Sequence, residues 1–219
     1  MKKYALLLLF PILVCCQQQP KTVQDQSVKK DSIITTPATR TDTIALMQNP
    51  ASLAEIKELY KTVTSRLTHK TLDSSTLDYN CSNERIGTIT YYTDRGKLAI
   101  VKHTYNEHDH FSATDIYYVA DGNLYFAYRN SVTWQFVSGG AAEGSTKDNI
   151  TEQRTYIAKQ KAILCLEKKY EKFSNAEANP KAADLASEEV NCKTIQPLVA
   201  DFNLLVAFKN KEKHDCLEK

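Results

Sequence analysis

The chain has 219 residues, with 28 Lys and Arg against 26 Asp and Glu. The basic surplus is Lys2 and Lys3, so the rest of the chain carries 26 charges of each sign and no net charge. That balance lacks the basic stripe a nucleic-acid partner requires and supplies no polybasic patch for an anionic membrane surface. The length suits one domain plus a tether.

Met1-Lys2-Lys3-Tyr4 leads into Ala5 to Val14, apolar apart from Pro11. Two lysines followed by a ten-residue apolar run describe the n-region and h-region of a secretory signal. The run is too short to span a membrane, which takes about 20 apolar residues, and the polar tract after it argues against a buried core helix. Residues 1–15 are therefore read as a signal peptide. Ile12-Leu13-Val14-Cys15-Cys16 resembles the bacterial lipobox, in which apolar residues precede a lipidated cysteine. The small residue usual before that cysteine is present for Cys16, as Cys15, and replaced by Val14 for Cys15. The resemblance implies lipidation at Cys16, or else at Cys15. It also implies several acyl chains, each buried CH₂ adding about 0.8 kcal/mol of membrane affinity. The expected location is the bacterial cell envelope, on the inner or outer membrane, with the domain facing the periplasm or the exterior.

Residues 16–44 read as a flexible linker. The tract from Gln17 to Thr43 is rich in Gln, Lys, Thr and Ser, has no aromatic residue and holds Pro20 and Pro37, so it cannot bury enough apolar surface to offset its ordering entropy. Such a tether reaches roughly 30 Å root-mean-square. Asp31-Ser32-Ile33 and Asp42-Thr43-Ile44 resemble the Asp-Ser/Thr-apolar acceptor of O-glycosylation in some Gram-negative envelopes, a motif short enough to arise by chance.

A single globular domain is expected over residues 45–219, its ordered part starting near Asn49. Ser52-Leu53-Ala54-Glu55 reads as a capping box. Leu53, Ile56, Tyr60, Val63 and Leu67 follow at helical spacing and predict a helix over 51–67. From Arg85 the period drops to two. Leu98 and Ile100 alternate with Ala99 and Val101; Leu124, Phe126 and Tyr128 alternate with Tyr125 and Ala127; Val132, Trp134 and Phe136 share a face. Asp94-Arg95-Gly96-Lys97 and Asp121-Gly122-Asn123 mark tight hairpin turns. Tyr91-Tyr92-x-x-x-Gly96-x-Leu98 recurs 26 residues later as Tyr117-Tyr118-x-x-x-Gly122-x-Leu124. A degraded third copy runs from Tyr156 to Ile163, with Gln160 in place of the glycine. Gly139-Gly140 through Asn149 reads as a loop before the last hairpin. Asn179-Pro180 and Gln196-Pro197 predict two helix starts, with Leu204 to Phe208 read as helix in preference to a terminal strand. The fold class is thus α+β: an antiparallel β-meander of about six strands flanked by an N-terminal helix and C-terminal helices.

Cys81, Cys165, Cys192 and Cys216 follow the signal pair. Four cysteines in an oxidising compartment predict two disulfides. Of three possible pairings, the expected one is Cys192–Cys216 within the C-terminal segment and Cys81–Cys165 across the sheet. The spacings do not fit a zinc CxxC pair.

Chemistry has few footholds. His103, His108 and His110 stand within eight residues together with Glu107 and Asp109, a composition suited to zinc or copper, against the alternative of a solvated polar turn between strands. No nucleophile elbow and no phosphate-cradling loop are present, and the chain has only six glycines. Glu188-Glu189 falls on a predicted helix, where a solvated charge pair is the ordinary role. No catalytic residue and no cofactor are expected. Tyr91, Tyr117 and Tyr125 are candidates for a binding surface, because adjacent tyrosines on a strand point to opposite faces, unless helices cover both. An exposed tyrosine row would suit an envelope protein or a glycan; cross-strand pairing is the alternative.

The Tyr-Tyr…Gly-x-Leu repeat, carried by Tyr91, Tyr92, Gly96, Leu98 and Tyr117, Tyr118, Gly122, Leu124, resembles a broad set of uncharacterised Gram-negative envelope lipoproteins. It covers about a third of the mature chain and encodes hairpin geometry. The repeat is also similar to MORN-like antitoxin repeats, with only two good copies and looser spacing. Tyr79-Asn80-Cys81 resembles the segment before the first strands of the membrane-bound lysozyme inhibitors, which are shorter. The expectation is a non-catalytic, lipid-anchored binding or structural module of the envelope. The alternatives are an inhibitor of an extracellular enzyme such as lysozyme, and a metal-binding or hydrolytic protein built on His103, His108 and His110.

Overall fold

The computed structural model describes residues 49–138 and 144–217. The signal, the linker, the two lipidation candidates Cys15 and Cys16, and the glycosylation-like motifs lie outside these residues. The fold is α+β. Helix α1 (Leu53–Thr68) precedes strands β1 (Asp73–Cys81), β2 (Arg85–Asp94), β3 (Lys97–Glu107), β4 (Phe111–Ala120), β5 (Asn123–Phe136), β6 (Thr146–Ala158), β7 (Lys161–Phe173) and β8 (Glu188–Glu189), and helix α2 (Gln196–Phe208) follows. The strands form one antiparallel sheet in chain order, β1 to β8. The meander is therefore longer than the six strands expected. β1 was missed because its sequence is polar: only Tyr79 is buried along it. β8 was missed because it is only two residues long, and Glu188-Glu189 pairs with Leu166 and Glu167 at the sheet edge instead of lying on a helix.

The sequence repeat is a repeat of hairpin geometry. Each tip has two residues at positive φ: Arg95 and Gly96, Asp121 and Gly122, and, in the degraded copy, Lys159 and Gln160. This is the primed turn whose twist matches the strands, and glycine meets its demand without a Cβ penalty. The strand register shifts after Tyr92, after Tyr118 and after Tyr156. At each of these places one residue is left unpaired on the returning strand: Ala99, Tyr125 and Ile163. Such a bulge adds a residue without a partner and bends the strand. It also breaks strict alternation, so Tyr125 and Phe126, neighbours in sequence, both join the cluster under α1, as do Ala99 and Ile100.

Both faces of the sheet are roofed. α1 starts as its sequence predicts, with the Ser52 hydroxyl accepting from the Glu55 N–H and the Glu55 carboxylate accepting from the Ala51 N–H. It lays Ile56, Leu59 and Val63 on Ile100, Tyr118, Tyr125 and Phe126. α2 covers the opposite face, burying Leu198, Phe202, Leu205 and Phe208 against Tyr79, Tyr91, Val101 and Tyr117. Tyr91-Tyr92 and Tyr117-Tyr118 thus each send one ring to either core.

Between β7 and α2 the chain passes from one face to the other. No α-helix starts at Asn179-Pro180, and only a single 3₁₀ turn, Ala182–Asp184, forms there. The Asn179 amide instead clamps the backbone of Phe173, accepting from its N–H and donating to its carbonyl, which spends the group a helix cap would have used. Lys168 Nζ holds the Ala182 carbonyl at 2.6 Å and Arg154 holds the Ser187 hydroxyl at 2.8 Å. The chain then rounds the sheet edge through β8 and crosses the second face as α2. The C-terminal region therefore contains one α-helix, not several.

The disulfides are Cys81–Cys216 and Cys165–Cys192, so the expected pairing is corrected. All four cysteines are used, but α2 separates Cys192 from Cys216 across the width of the sheet, and each staples the strap to the strand at its own edge. Cys81–Cys216 spans 135 residues of sequence, and loop-closure entropy assigns such a cross-link about 5 kcal/mol. Replacing Cys81 and Cys216 together by serine is expected to lower unfolding stability by about 2–5 kcal/mol. Chemical denaturation under non-reducing conditions measures it, and an unchanged midpoint would contradict the strap's contribution.

Candidate functional site

The sheet interior carries polar chemistry centred on two side chains closed to solvent, His103 and Asp115. His103 stands in mid-β3, paired with Ile89 on one side and Asp115 on the other, and is 3% exposed. Its Nε2 shares a hydrogen bond of 2.8 Å with the Tyr79 hydroxyl, and its ring stacks on Tyr105 at 4.3 Å. Asp115, also buried, accepts from Arg129 Nε at 3.3 Å, and Arg129 reaches Asp201 of α2 at 3.9 Å. Arg85 lies over the Tyr105 ring and pairs with Glu107. The void beside this group measures only about 10 Å³, room for one water at most. A second group, buried Glu152 and Lys168 with half-buried Arg154, sits under the crossing segment on the α1 face.

The three histidines are not brought together. His103 is buried under α2, whereas His108 lies five residues on, roughly 16 Å along an extended strand, at the hairpin tip with φ +51. His110 leaves the tip to pack, tilted, against Trp134 at 4.0 Å. Among the described residues no group of three His, Cys, Asp or Glu is placed to hold a metal ion. The run from His103 to His110 is the end of one strand and a turn.

The tyrosine row is corrected too. Tyr91, Tyr117 and Tyr125 are 0%, 1% and 0% exposed. Tyr91 donates its hydroxyl to the Leu205 carbonyl at 2.7 Å, and Tyr117 packs on Phe202. Tyr125 is enclosed under α1. They belong to the two cores because each face has its own helix, and none of them forms a platform.

Open space lies instead at the two ends of the sheet. At one end, the tips of the β4–β5 and β6–β7 hairpins and the first turns of α2 enclose a groove of about 540 Å³. Leu124, Ile157, Ile195, Val199 and Phe202 give it an apolar floor, and Asn123, Gln160, Gln196 and Asn203 an amide rim. Among the residues lining it Lys159 is the only ionisable side chain. At the other end, beside the β3–β4 tip, a hollow of about 300 Å³ is lined by Asn106, His108, Asp109, Phe111, Ser112 and Trp134. Sequence reasoning missed the first, because it joins segments distant along the chain; the second is lined mostly by residues 106–112, whose His108 and Asp109 belong to the segment the sequence singles out for metal, with Trp134 added from β5. The signal available for the first was the third hairpin copy, which places Gln160 level with Gly122.

No known protein family, no curated protein and no solved structure matches the chain. No helix among the described residues is long and apolar enough to cross a membrane.

Two outcomes test the buried chemistry. A Cβ on Gly87 would fall 2.6 Å from the Tyr79 hydroxyl oxygen, so Gly87→Ala is expected to displace that ring, break its bond to His103 and cost about 1–3 kcal/mol, read by thermal melting. Burial pushes Tyr79 up to about 12, partly offset by Arg85, and pushes Tyr91, Tyr117, Tyr118 and Tyr125 further up. The unfolded chain, with phenols near 10, releases these protons first. Stability is therefore complete below pH ~10 and falls as pH rises from ~10 to ~12 and beyond. The share of tyrosinate absorbance that belongs to these five should appear only with loss of circular dichroism, and ionisation of all twelve tyrosines with the circular dichroism intact would contradict the burial.

Proposed function

We propose that this protein is a non-catalytic binding module of the bacterial cell envelope, anchored by lipid on Cys16 or Cys15, with its ligand seated in the groove between the hairpin tips and α2. The groove's volume carries the reading. About 540 Å³ falls within the range of ligand sites, roughly 300–1,000 Å³. An apolar floor with convergent amides is the usual composition of such sites. A lone lysine on its rim offers no acid–base pair, which favours binding over turnover. The disulfides of the domain suit an oxidising compartment, and the opening Lys-Lys-apolar-Cys-Cys segment suits export and anchoring.

The amide rim matches the main-chain groups of an extended peptide, and the floor takes its side chains, so the proposed ligand is a peptide segment of another envelope protein. A photo-reactive residue at Asn203, on the rim, is expected to give discrete cross-links in envelope preparations. The same group at Lys61, exposed on α1, should not. Ala200→Glu, an exposed helix position lining the groove, should abolish those cross-links while changing stability by no more than about 0.5 kcal/mol. Equal labelling from Asn203 and Lys61 would sink the reading.

A further inference from the structure

From the hollow at the opposite end of the sheet we infer a second site, one that takes a pyranose ring of a neutral oligosaccharide on the face of Trp134. Trp134 is the chain's only tryptophan, yet it belongs to neither core cluster. It is nonetheless fixed on several sides. Its indole Nε1 donates to the Asp109 carbonyl. Its backbone N–H donates to the His110 carbonyl at 3.1 Å, and His110 Nδ1 returns a bond to the Trp134 carbonyl at 3.1 Å. The His110 ring lies against the indole at 4.0 Å, and the Phe136 ring meets it edge-on at 5.4 Å. Phe136 itself is 65% exposed.

An indole whose single polar atom is satisfied by the backbone and whose ring is clamped by its neighbours is a pre-organised plate. It loses little entropy when something lies on it. The hollow beside it, about 300 Å³, sets polar Asn106, Ser112, His108 and Asp109 on its walls beside the apolar Phe111. A pyranose presents the complementary pattern, an apolar C–H face ringed by hydroxyls that both donate and accept. The Asp109 carboxylate disfavours an anionic sugar, which makes the preferred ligand neutral. This end lies roughly 30 Å from the groove, the length of the ten-residue β4, and the inference does not depend on the groove reading.

The sole tryptophan makes the site its own reporter. Full-length protein in a non-glycosidic detergent would be titrated with cellotetraose and with tetra-N-acetylchitotetraose while indole emission is followed. The expected result is a saturable change with Kd of about 0.1–1 mM, as for a shallow one-plate site. His108→Ala and Asn106→Ala are expected to weaken it at least about threefold, and Ala200→Glu, in the other groove, to leave it unchanged. Trp134→Ala removes the reporter, so its binding is read by retardation in a polysaccharide gel, which should be lost while the melting temperature holds. No saturable change with either saccharide up to ~10 mM, or retardation that survives Trp134→Ala, would overturn the assignment. So would an emission change produced by an apolar peptide and by neither sugar.

Discussion

The second face of the sheet depends on one strap being held across it. α2 is thirteen residues long and its N-cap, Ile195, contributes no side-chain bond. A helix of that length is marginal alone in water. It persists because its apolar side is spread over β1 to β5 and because Cys165–Cys192 and Cys81–Cys216 fasten the strap at opposite edges. Tyr91 adds a bond from beneath to the Leu205 carbonyl, and the Asn80 N–H donates to the Asp215 carbonyl where the strap comes down on β1. Without this roof, Tyr79, Ile89, Val101 and Tyr117 would face water, and a continuous apolar face that large is not tolerated on a monomer.

The strap also explains which parts of the fold were legible in the sequence. α1, the primed turns and the inner strands are set by local rules: a capping box, two residues at positive φ, alternation of two. Those signals sit within a few residues of each other. The disulfide pairing is not local. Proximity along the chain favours Cys192 with Cys216, yet those cysteines end at opposite edges because α2 runs between them. The tyrosines were misplaced for the same reason. An alternating strand with one roof has one wet face, and only the path of residues 174–208, around the β7 edge, shows that there are two roofs. The bulge after Tyr118 compounds the error, since it turns Tyr125 from the face that alternation assigns it.

β1 and the Asn179 segment failed differently. Asp73 to Cys81 is an edge strand with polar residues along most of its length, the composition by which edges avoid pairing with other chains. Such a strand gives little apolar signal because its stability comes from one neighbour and from Tyr79. Asn179-Pro180 has the residues of a helix start, but buried Lys168 and half-buried Arg154 hold the segment's Ala182 carbonyl and Ser187 hydroxyl against the sheet. A tertiary demand to satisfy the buried Lys168 and the half-buried Arg154 outweighed a local propensity of about 1 kcal/mol.

The histidine-rich segment shows how, among the described residues, the sheet's covered middle differs from its ends. Its first member, His103, lies far enough up β3 to fall beneath α2, where burial makes it a structural partner of Tyr79 and Tyr105. Its last two lie beyond the reach of either helix. The same division holds for the aromatic residues: Tyr91, Tyr117 and Tyr125 are roofed, and Trp134 and Phe136, at the far end of β5, belong to neither core cluster. In a meander whose two faces are both covered, the hairpin tips are where segments distant in sequence meet in contact with solvent. A fold built this way keeps its polar interior for stability and leaves its turns with the fewest packing constraints.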